Sequence, residues 1–206
     1  MRALALFTAM SVLSATGAAH AEYNAWVLAK FDDTPEGLTV DKDGNYYTAL
    51  LHTGKIMKVT PDVQQELIAT VPSDGRAREG DTVGVELDNK GNLYVAYKQG
   101  SPKYEGNNLF DPFHAACRDA TVAASGVYKI ELATKKVTAL ATRADGWPFC
   151  YPDDVDIDDE GNVYMTDLTY AGIWKISPDG KKVDLWSADP LLNWSAALFR
   201  RPARRQ

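Results

Sequence analysis

Short hydrophobic runs that alternate with polar residues recur along the chain, and they predict β-strands. Residues 46–49, 93–96 and 163–166 are examples, and each run carries Tyr at its second position. Aromatic and β-branched residues fit the pleated surface of a half-buried sheet, whereas the Asp, Gly and Asn residues beside these runs favour tight turns. The pattern therefore predicts an all-β protein.

The same order of features occurs three times, which indicates an internal repeat. The turn Asp-x-x-Gly-Asn places Asn45, Asn92 and Asn162 at equivalent positions. A first strand precedes each turn, a second strand follows it, and third and fourth strands come after later turns. Four antiparallel strands form one blade of a β-propeller. The sequence therefore predicts a β-propeller of four-stranded blades.

The Asp-rich turn resembles the start of a calcium-binding loop, but the rest of that loop is missing. Such a loop needs a carboxylate at its twelfth position. Counting from Asp41, the twelfth residue is His52. We therefore interpret the motif as a hairpin turn in which Gly adopts a positive φ and Asp accepts hydrogen bonds from nearby backbone.

The second repeat contains an insertion, residues 99–124, between its second and third strands. Because successive strands run in opposite directions, this insertion should lie at the same end of the sheets as the start of each first strand and Cys150. Long loops on a rigid scaffold often carry function. We therefore expect the functional site at this end, although the insertion could equally serve only to cover exposed strand edges.

Three repeats are fewer than a closed propeller needs, since propellers close with at least four blades. No fourth repeat begins after Pro190, and residues 193–206 form an atypical tail that ends in a cluster of arginines. The pattern predicts a partial, truncated propeller over residues 22–192. Open blade edges would favour self-association.

The first 21 residues have the pattern of a signal peptide. Arg2 precedes an apolar stretch over residues 3–13, and the small residues Ala19 and Ala21 define a cleavage site after Ala21. The stretch is too short to cross a bilayer, and no later segment is apolar enough to do so. We expect a periplasmic or secreted protein that does not associate with membranes.

The two cysteines, Cys117 and Cys150, suggest one disulfide bond, because an exported chain meets an oxidising compartment. A metal site built on both thiolates is the alternative, but it would need more ligands than His114 supplies nearby. The charge balance of 22 basic and 28 acidic residues argues against nucleic acid as a partner.

Residues 35–37 (Pro-Glu-Gly), residues 152–154 (Pro-Asp-Asp), residues 164–167 and the segments Asp-x-x-Gly-Asn-x-Tyr resemble one known family. It is the senescence marker protein, gluconolactonase and luciferin-regenerating enzyme family of six-bladed propellers. Strictosidine synthase-like and other calcium-dependent propellers are similar. The resemblance extends over about residues 30–190, which is all three repeats and half of such a ring.

This resemblance implies a divalent metal ion at the top of the central channel, held by acidic and amide side chains that open different blades. Glu36 matches the first of these ligands, and Asp153 stands where the family has Asn or Asp. Ca²⁺ is the first choice, with Mn²⁺, Zn²⁺ and Mg²⁺ as alternatives. The implied activity is metal-dependent hydrolysis of a small-molecule lactone or ester, with Asp153 also acting as catalytic base.

Two residues depart from the family pattern. Val83 stands at the matching position of the second repeat and cannot bind a metal ion, and Asp154 replaces a glycine. Two alternatives therefore remain beside the hydrolase. One is a non-catalytic exported propeller that binds a small molecule or a protein, and the other is an inactive truncated fragment.

Overall fold

The computed structural model describes residues 27–71, 80–88, 90–99, 124–168 and 171–188, and the chain forms β-strands and turns throughout these ranges. Blade 1 consists of β1 (Pro35–Val40), β2 (Tyr46–Leu50), β3 (Lys55–Val59) and β4 (Gln65–Thr70). Blade 2 consists of β5 (Gly80–Leu87), β6 (Asn92–Gln99), β7 (Gly126–Glu131) and β8 (Lys136–Ala141). A two-stranded ribbon of β9 (Arg143–Ala144) and β10 (Trp147–Pro148) precedes blade 3, which consists of β11 (Pro152–Ile157), β12 (Val163–Asp167), β13 (Gly172–Ile176) and β14 (Val183–Ala188).

Each blade is a four-stranded antiparallel sheet whose strands lie side by side in chain order. This topology confirms the predicted fold class, an all-β protein made of propeller blades, with three blades in the described ranges. The insertion also lies where it was predicted, because it separates β6 from β7. Nothing in the described part of the chain is a helix long and apolar enough to span a membrane.

The predicted hairpin turns are confirmed in all three blades. Gly44, Gly91 and Gly161 have φ values of 80°, 83° and 87°, a conformation that side chains other than hydrogen disfavour. The Asp of each turn accepts hydrogen bonds from the backbone and the side-chain amide of the turn Asn. We call the end of the sheets that carries these turns the turn end.

The hydrophobic core lies between the blades. Side chains from blades 1 and 2 meet in one cluster, which includes Tyr47, Ile56, Leu93 and Val95. Side chains from blades 2 and 3 meet in a second cluster, which includes Tyr94, Val127, Val163 and Met165. Fully burying one such side chain contributes about 1.5–3 kcal/mol, so the packing of blade on blade holds the three sheets together.

Several predictions concern residues outside the described ranges. They are the signal peptide at residues 1–21, most of the insertion, Cys117 and the basic tail at residues 193–206. Cys150 is described and is buried, but its predicted partner is not described, so the disulfide bond stays a prediction.

Candidate functional site

The first strand of each blade has an irregular register close to its start. The irregularities fall between Glu36 and Leu38 in β1, between Thr82 and Val85 in β5, and between Pro152 and Val155 in β11. Such bulges bend a strand and change the direction of its side chains. The predicted ligands Glu36 and Asp153, together with Val83, therefore occupy equivalent irregular positions in the three blades.

These strand starts lie together at one end of the sheets, as the sequence predicted. Pro35 pairs with Leu50 and Pro152 pairs with Asp167, so each first strand begins beside the end of the second strand. Cys150 belongs to the same end, because its backbone N–H donates to Asp167. We call this the site end, and it is opposite to the turn end.

Two glycines allow the first strands to approach each other at the site end. A Cβ atom on Gly37 would lie 2.6 Å from the carbonyl oxygen of Val83, and one on Gly84 would lie 2.6 Å from Cα of Asp154. Neither space can hold a side chain. Because glycine has no side chain, β1, β5 and β11 can lie close together at these two positions. Gly84 also leaves room for the Asp154 carboxylate.

Glu36 is the least satisfied carboxylate of the site. Its Oε2 atom is buried and has no hydrogen-bond partner among the described residues. Burial, followed by the negative charges of Asp153 and Asp154, raises the pKa of Glu36 to about 7. The structure therefore brings the two predicted ligands close enough for their charges to interact, although they come from blades 1 and 3.

The environment of Asp153 is similar to that of Glu36, except that the positive charge of Lys98 also acts on it. Burial and the neighbouring Asp154 carboxylate raise its pKa to about 6, and Asp167 adds to this effect, whereas the Lys98 ammonium acts in the opposite direction. A carboxylate that titrates near pH 6 can accept a proton at neutral pH and return it readily.

Lys98 is a buried ammonium group at the end of β6. It is 4% exposed, and its Nζ atom lies 3.2 Å from Oδ2 of Asp81 and 4.0 Å from the centre of the Tyr151 ring. Burial acts to lower the pKa of Lys98, but Tyr151 and Asp81 outweigh it and raise the pKa. Lys98 therefore stays charged, and it partly balances the acidic site.

Asp167 fixes the chain that leads into blade 3. This residue is 1% exposed, and its carboxylate accepts hydrogen bonds from the backbone N–H groups of Cys150 at 3.2 Å and Tyr151 at 3.3 Å. The two bonds hold Tyr151 at the site end, where its ring contacts the Lys98 ammonium.

The sequence interpretation missed Lys98 and Asp167, although the repeat contains a signal for both. Lys98 stands where the other two repeats have Leu51 and Leu168. Asp167 stands where they have Leu50 and Tyr97. The blade fold does not need a charge at a position that is apolar in the other repeats. A charged residue at such a position is therefore a candidate for a functional role.

The donor set fits a divalent cation in part. Carboxylate oxygens are the ligands that Ca²⁺ and Mg²⁺ prefer, and the unpartnered Oε2 of Glu36 has room for an interaction that the protein does not supply. However, no group of three or more His, Cys, Asp and Glu side chains is placed to hold a metal ion within the described ranges. The described side chains alone therefore do not complete a metal site.

The fold and the clustered acidic site together define a propeller-type protein with a candidate site where the first strands begin. The chain belongs to the Mal s 1 allergenic protein-like family, whose model matches residues 27–191. The predicted resemblance to the gluconolactonase family is therefore confirmed at the level of the propeller fold, whereas the family whose model matches is a different one. A comparison with curated proteins gives no significant match.

Solved propeller-type structures resemble the chain at low sequence identity. A nidogen/laminin complex contains a chain with a TM-score of 0.53 and 16% identity, over 77% of this chain and 49% of its own. A gluconolactonase from Xanthomonas campestris gives 0.51 and 12%, over 75% and 47%. A catalytically inactive virginiamycin B lyase from Staphylococcus aureus gives 0.50 and 14%, over 76% and 41%. The protein thus spans less than half the length of each of these structures, and the likeness shows the fold alone.

Proposed function

We propose that the site end binds a divalent cation and hydrolyses a small-molecule lactone or ester, with Glu36 and Asp153 as metal ligands and Asp153 as the catalytic base. The observation that carries this proposal is the buried, unpartnered Oε2 of Glu36 close to the carboxylates of Asp153 and Asp154. A cation would remove the repulsion among these three groups. The fold shared with a gluconolactonase is compatible with this chemistry.

Each residue of the site would have a separate role in this reaction. A bound divalent cation would polarise the carbonyl oxygen of the substrate and lower the pKa of a water molecule. Glu36 would hold the cation through Oε2. Asp153 would orient the attacking water and accept its proton. Lys98 would favour the charged form of Asp153.

A second candidate function is binding without catalysis, by an exported propeller that recognises a small molecule or a protein at the same end. Val83, at the position equivalent to the two ligands, favours this candidate because it removes one donor from the set. The export of the protein to the periplasm or the medium, and the lactone or ester substrate class, are likewise proposals.

Calorimetric titration with CaCl₂ and MnCl₂ tests the metal site. We expect one weak site, with a dissociation constant of about 10⁻⁴ to 10⁻³ M, since few protein ligands are present. Glu36→Gln should weaken binding at least about tenfold, which is the loss of 1.4 kcal/mol. Asp43→Asn is the matched control, because this carboxylate is exposed at the turn end. Equal affinity in the wild type and Glu36→Gln would contradict the proposal.

Hydrolysis of a panel of simple lactones and aryl esters separates the two candidates. The hydrolase should lose activity when the metal is chelated and in both Glu36→Gln and Asp153→Asn. Metal binding without hydrolysis of any member of the panel would instead support the binding function.

A further inference from the structure

Within the described residues, the array of three blades ends in two sheet faces that no further blade covers. Face A is the surface of blade 1 turned away from blade 2, and it carries Leu38, Val40 and Tyr46. Face B is the surface of blade 3 turned away from blade 2, and it carries Tyr164 and Trp186. We propose that two copies of the chain pack face A of each on face B of the other and so form a closed ring of six blades.

Face A exposes apolar side chains at positions that are buried or partly buried in the other two blades. Leu38 is 63% exposed, whereas its equivalents Val85 and Val155 are 4% and 3% exposed. Val40 is 48% exposed, whereas its equivalent Ile157 is 7% exposed. In blades 2 and 3 these positions are covered by the preceding blade. The repeat itself therefore identifies what fits face A, namely the far face of another blade.

Part of face A forms an open apolar groove. Residues 27–31 lie along it, and together with blade 1 they enclose a volume of about 640 Å³. The lining includes Leu28, Phe31, Leu38 and Val59. This segment buries Val59, which is 2% exposed, but it leaves Leu38 and Val40 in contact with solvent. The uncovered strip follows β1, which is the strand nearest the other blades.

Face B shows the reciprocal pattern. Trp186 is 59% exposed, whereas its equivalent in blade 1, Ile68, is 7% exposed and packs in the core between blades 1 and 2. The Trp186 ring contacts Tyr164 with 5.2 Å between ring centres. The equivalents of Tyr164, which are Tyr47 and Tyr94, are each 4% exposed because the next blade covers them. Face B therefore exposes aromatic side chains at positions that a following blade covers in blades 1 and 2.

A second copy is the occupant that fits both faces. Face B of one copy is equivalent to the surfaces of blades 1 and 2 that cover β5 and β11, so it presents the kind of surface that face A lacks. A contact between two different faces forms a ring when the rotation closes.

The closed ring would change the candidate site. Glu36 and Asp153 lie on the first strands, which are the strands that meet next to the axis of the array. Twofold symmetry would place these residues of both copies around one axis and double the number of carboxylates there. The assembly is independent of the metal chemistry, because it depends on the apolar faces.

Sedimentation equilibrium of the purified protein over a wide concentration range tests the assembly. We expect the mass of two chains, and we expect Leu38→Asp and Trp186→Asp each to raise the dissociation constant at least about tenfold, because a buried aromatic or aliphatic anchor carries much of the energy of an interface. Val63→Asp is the matched control, since Val63 is 46% exposed in a turn away from both faces and its positive φ of 68° tolerates Asp. Circular dichroism checks that every variant is folded.

Mixing the two variants distinguishes dimers that pack face A on face B from other dimers, and a wild-type mass that does not exceed two chains shows that the ring closes. In a mixed pair, face A of the Trp186→Asp chain meets face B of the Leu38→Asp chain, and this interface carries neither substitution. The mixture should therefore form more dimer than either variant alone. A monomeric wild type, a dimer insensitive to both substitutions, or a mixture that behaves like its components would each overturn the proposal. Glu36→Gln should leave the dimer intact, so failure of the metal site and failure of the assembly are separate results.

Discussion

The turn end and the site end of the blades carry carboxylates in opposite situations. At the turn end, Asp41 accepts hydrogen bonds from the backbone N–H and the side-chain amide of Asn45, at 2.9 Å and 2.8 Å, and from the hydroxyl of Tyr47 at 3.2 Å. At the site end, Oε2 of Glu36 is buried without a partner. The first kind of carboxylate is repeated in every blade, and the second kind is not.

The two kinds of carboxylate affect the stability of the fold in opposite directions. Burial acts to raise the pKa of Asp41, but the hydrogen bonds from Asn45, Asp43 and Tyr47 together outweigh it, and the pKa is lowered. The pKa of Glu36 is raised instead. Asp41 therefore stabilises the fold when charged, and its contribution is lost as the pH falls through its lowered pKa. Glu36 destabilises the fold when charged.

Removing a turn-end carboxylate should have the largest effect on stability. Asp41→Ala leaves the amide groups of Asn45 and the hydroxyl of Tyr47 without their acceptor, and we expect the free energy of unfolding to fall by about 2 kcal/mol. Asp43→Ala, two residues along the same turn, removes only an exposed ion pair with Lys42 and should change stability by less than about 0.5 kcal/mol. Urea unfolding at pH 7 measures both. Equal losses would mean that the turn network contributes nothing specific.

Replacing Glu36 should change the free energy of unfolding by less than replacing Asp41, and in the opposite direction. The size of the change should depend on pH. The folded-state pKa of Glu36 is about 7 against an ordinary value of 4.5, so its stabilising effect is complete below pH 4.5 and is lost as the pH rises through 7. We expect the wild type to lose about 1 kcal/mol between pH 5 and pH 8, a figure reduced for the partial exposure of the side chain. Glu36→Gln should lose less over the same range. Asp43→Asn serves as the control, and an identical pH dependence in all three proteins would show that Glu36 is not strained by its neighbours.

The same comparison explains which features could be predicted from the sequence. The blades, the turns with Gly44, Gly91 and Gly161, and the shared end of Glu36 and Asp153 followed from the repeat, because local hydrogen bonds and strand alternation determine them. The resemblance predicted the propeller fold correctly but not the family whose model matches the chain. Part of the resemblance came from the turn residues, which serve the blade and not the site.

The electrostatic arrangement of the site could not be predicted in this way. Asp81 and Lys98 are cross-strand partners within blade 2, but Tyr151 reaches the Lys98 ammonium through the packing of blade 3 on blade 2, and no local pattern indicates that contact. The close approach of Asp154 to Gly84 likewise depends on how two blades pack. The departures of Lys98 and Asp167 from the residues at the equivalent positions of the other repeats were visible in the sequence.

Replacing Lys98 should have the smallest effect and should act through Asp153. Lys98→Met keeps much of the buried side-chain volume but removes the one charge that lowers the pKa of Asp153, so we expect that pKa to rise above about 6. A carbon-detected NMR titration of the aspartate side chains measures the shift directly. Lys42→Met removes a lysine that is paired with Asp43 at the turn end, and it should leave the Asp153 titration unchanged. If both variants left it unchanged, Lys98 would serve only to neutralise Asp81. A rise in Lys98→Met alone would place Lys98 among the residues that position the base, because it would then set the pH at which Asp153 can accept a proton.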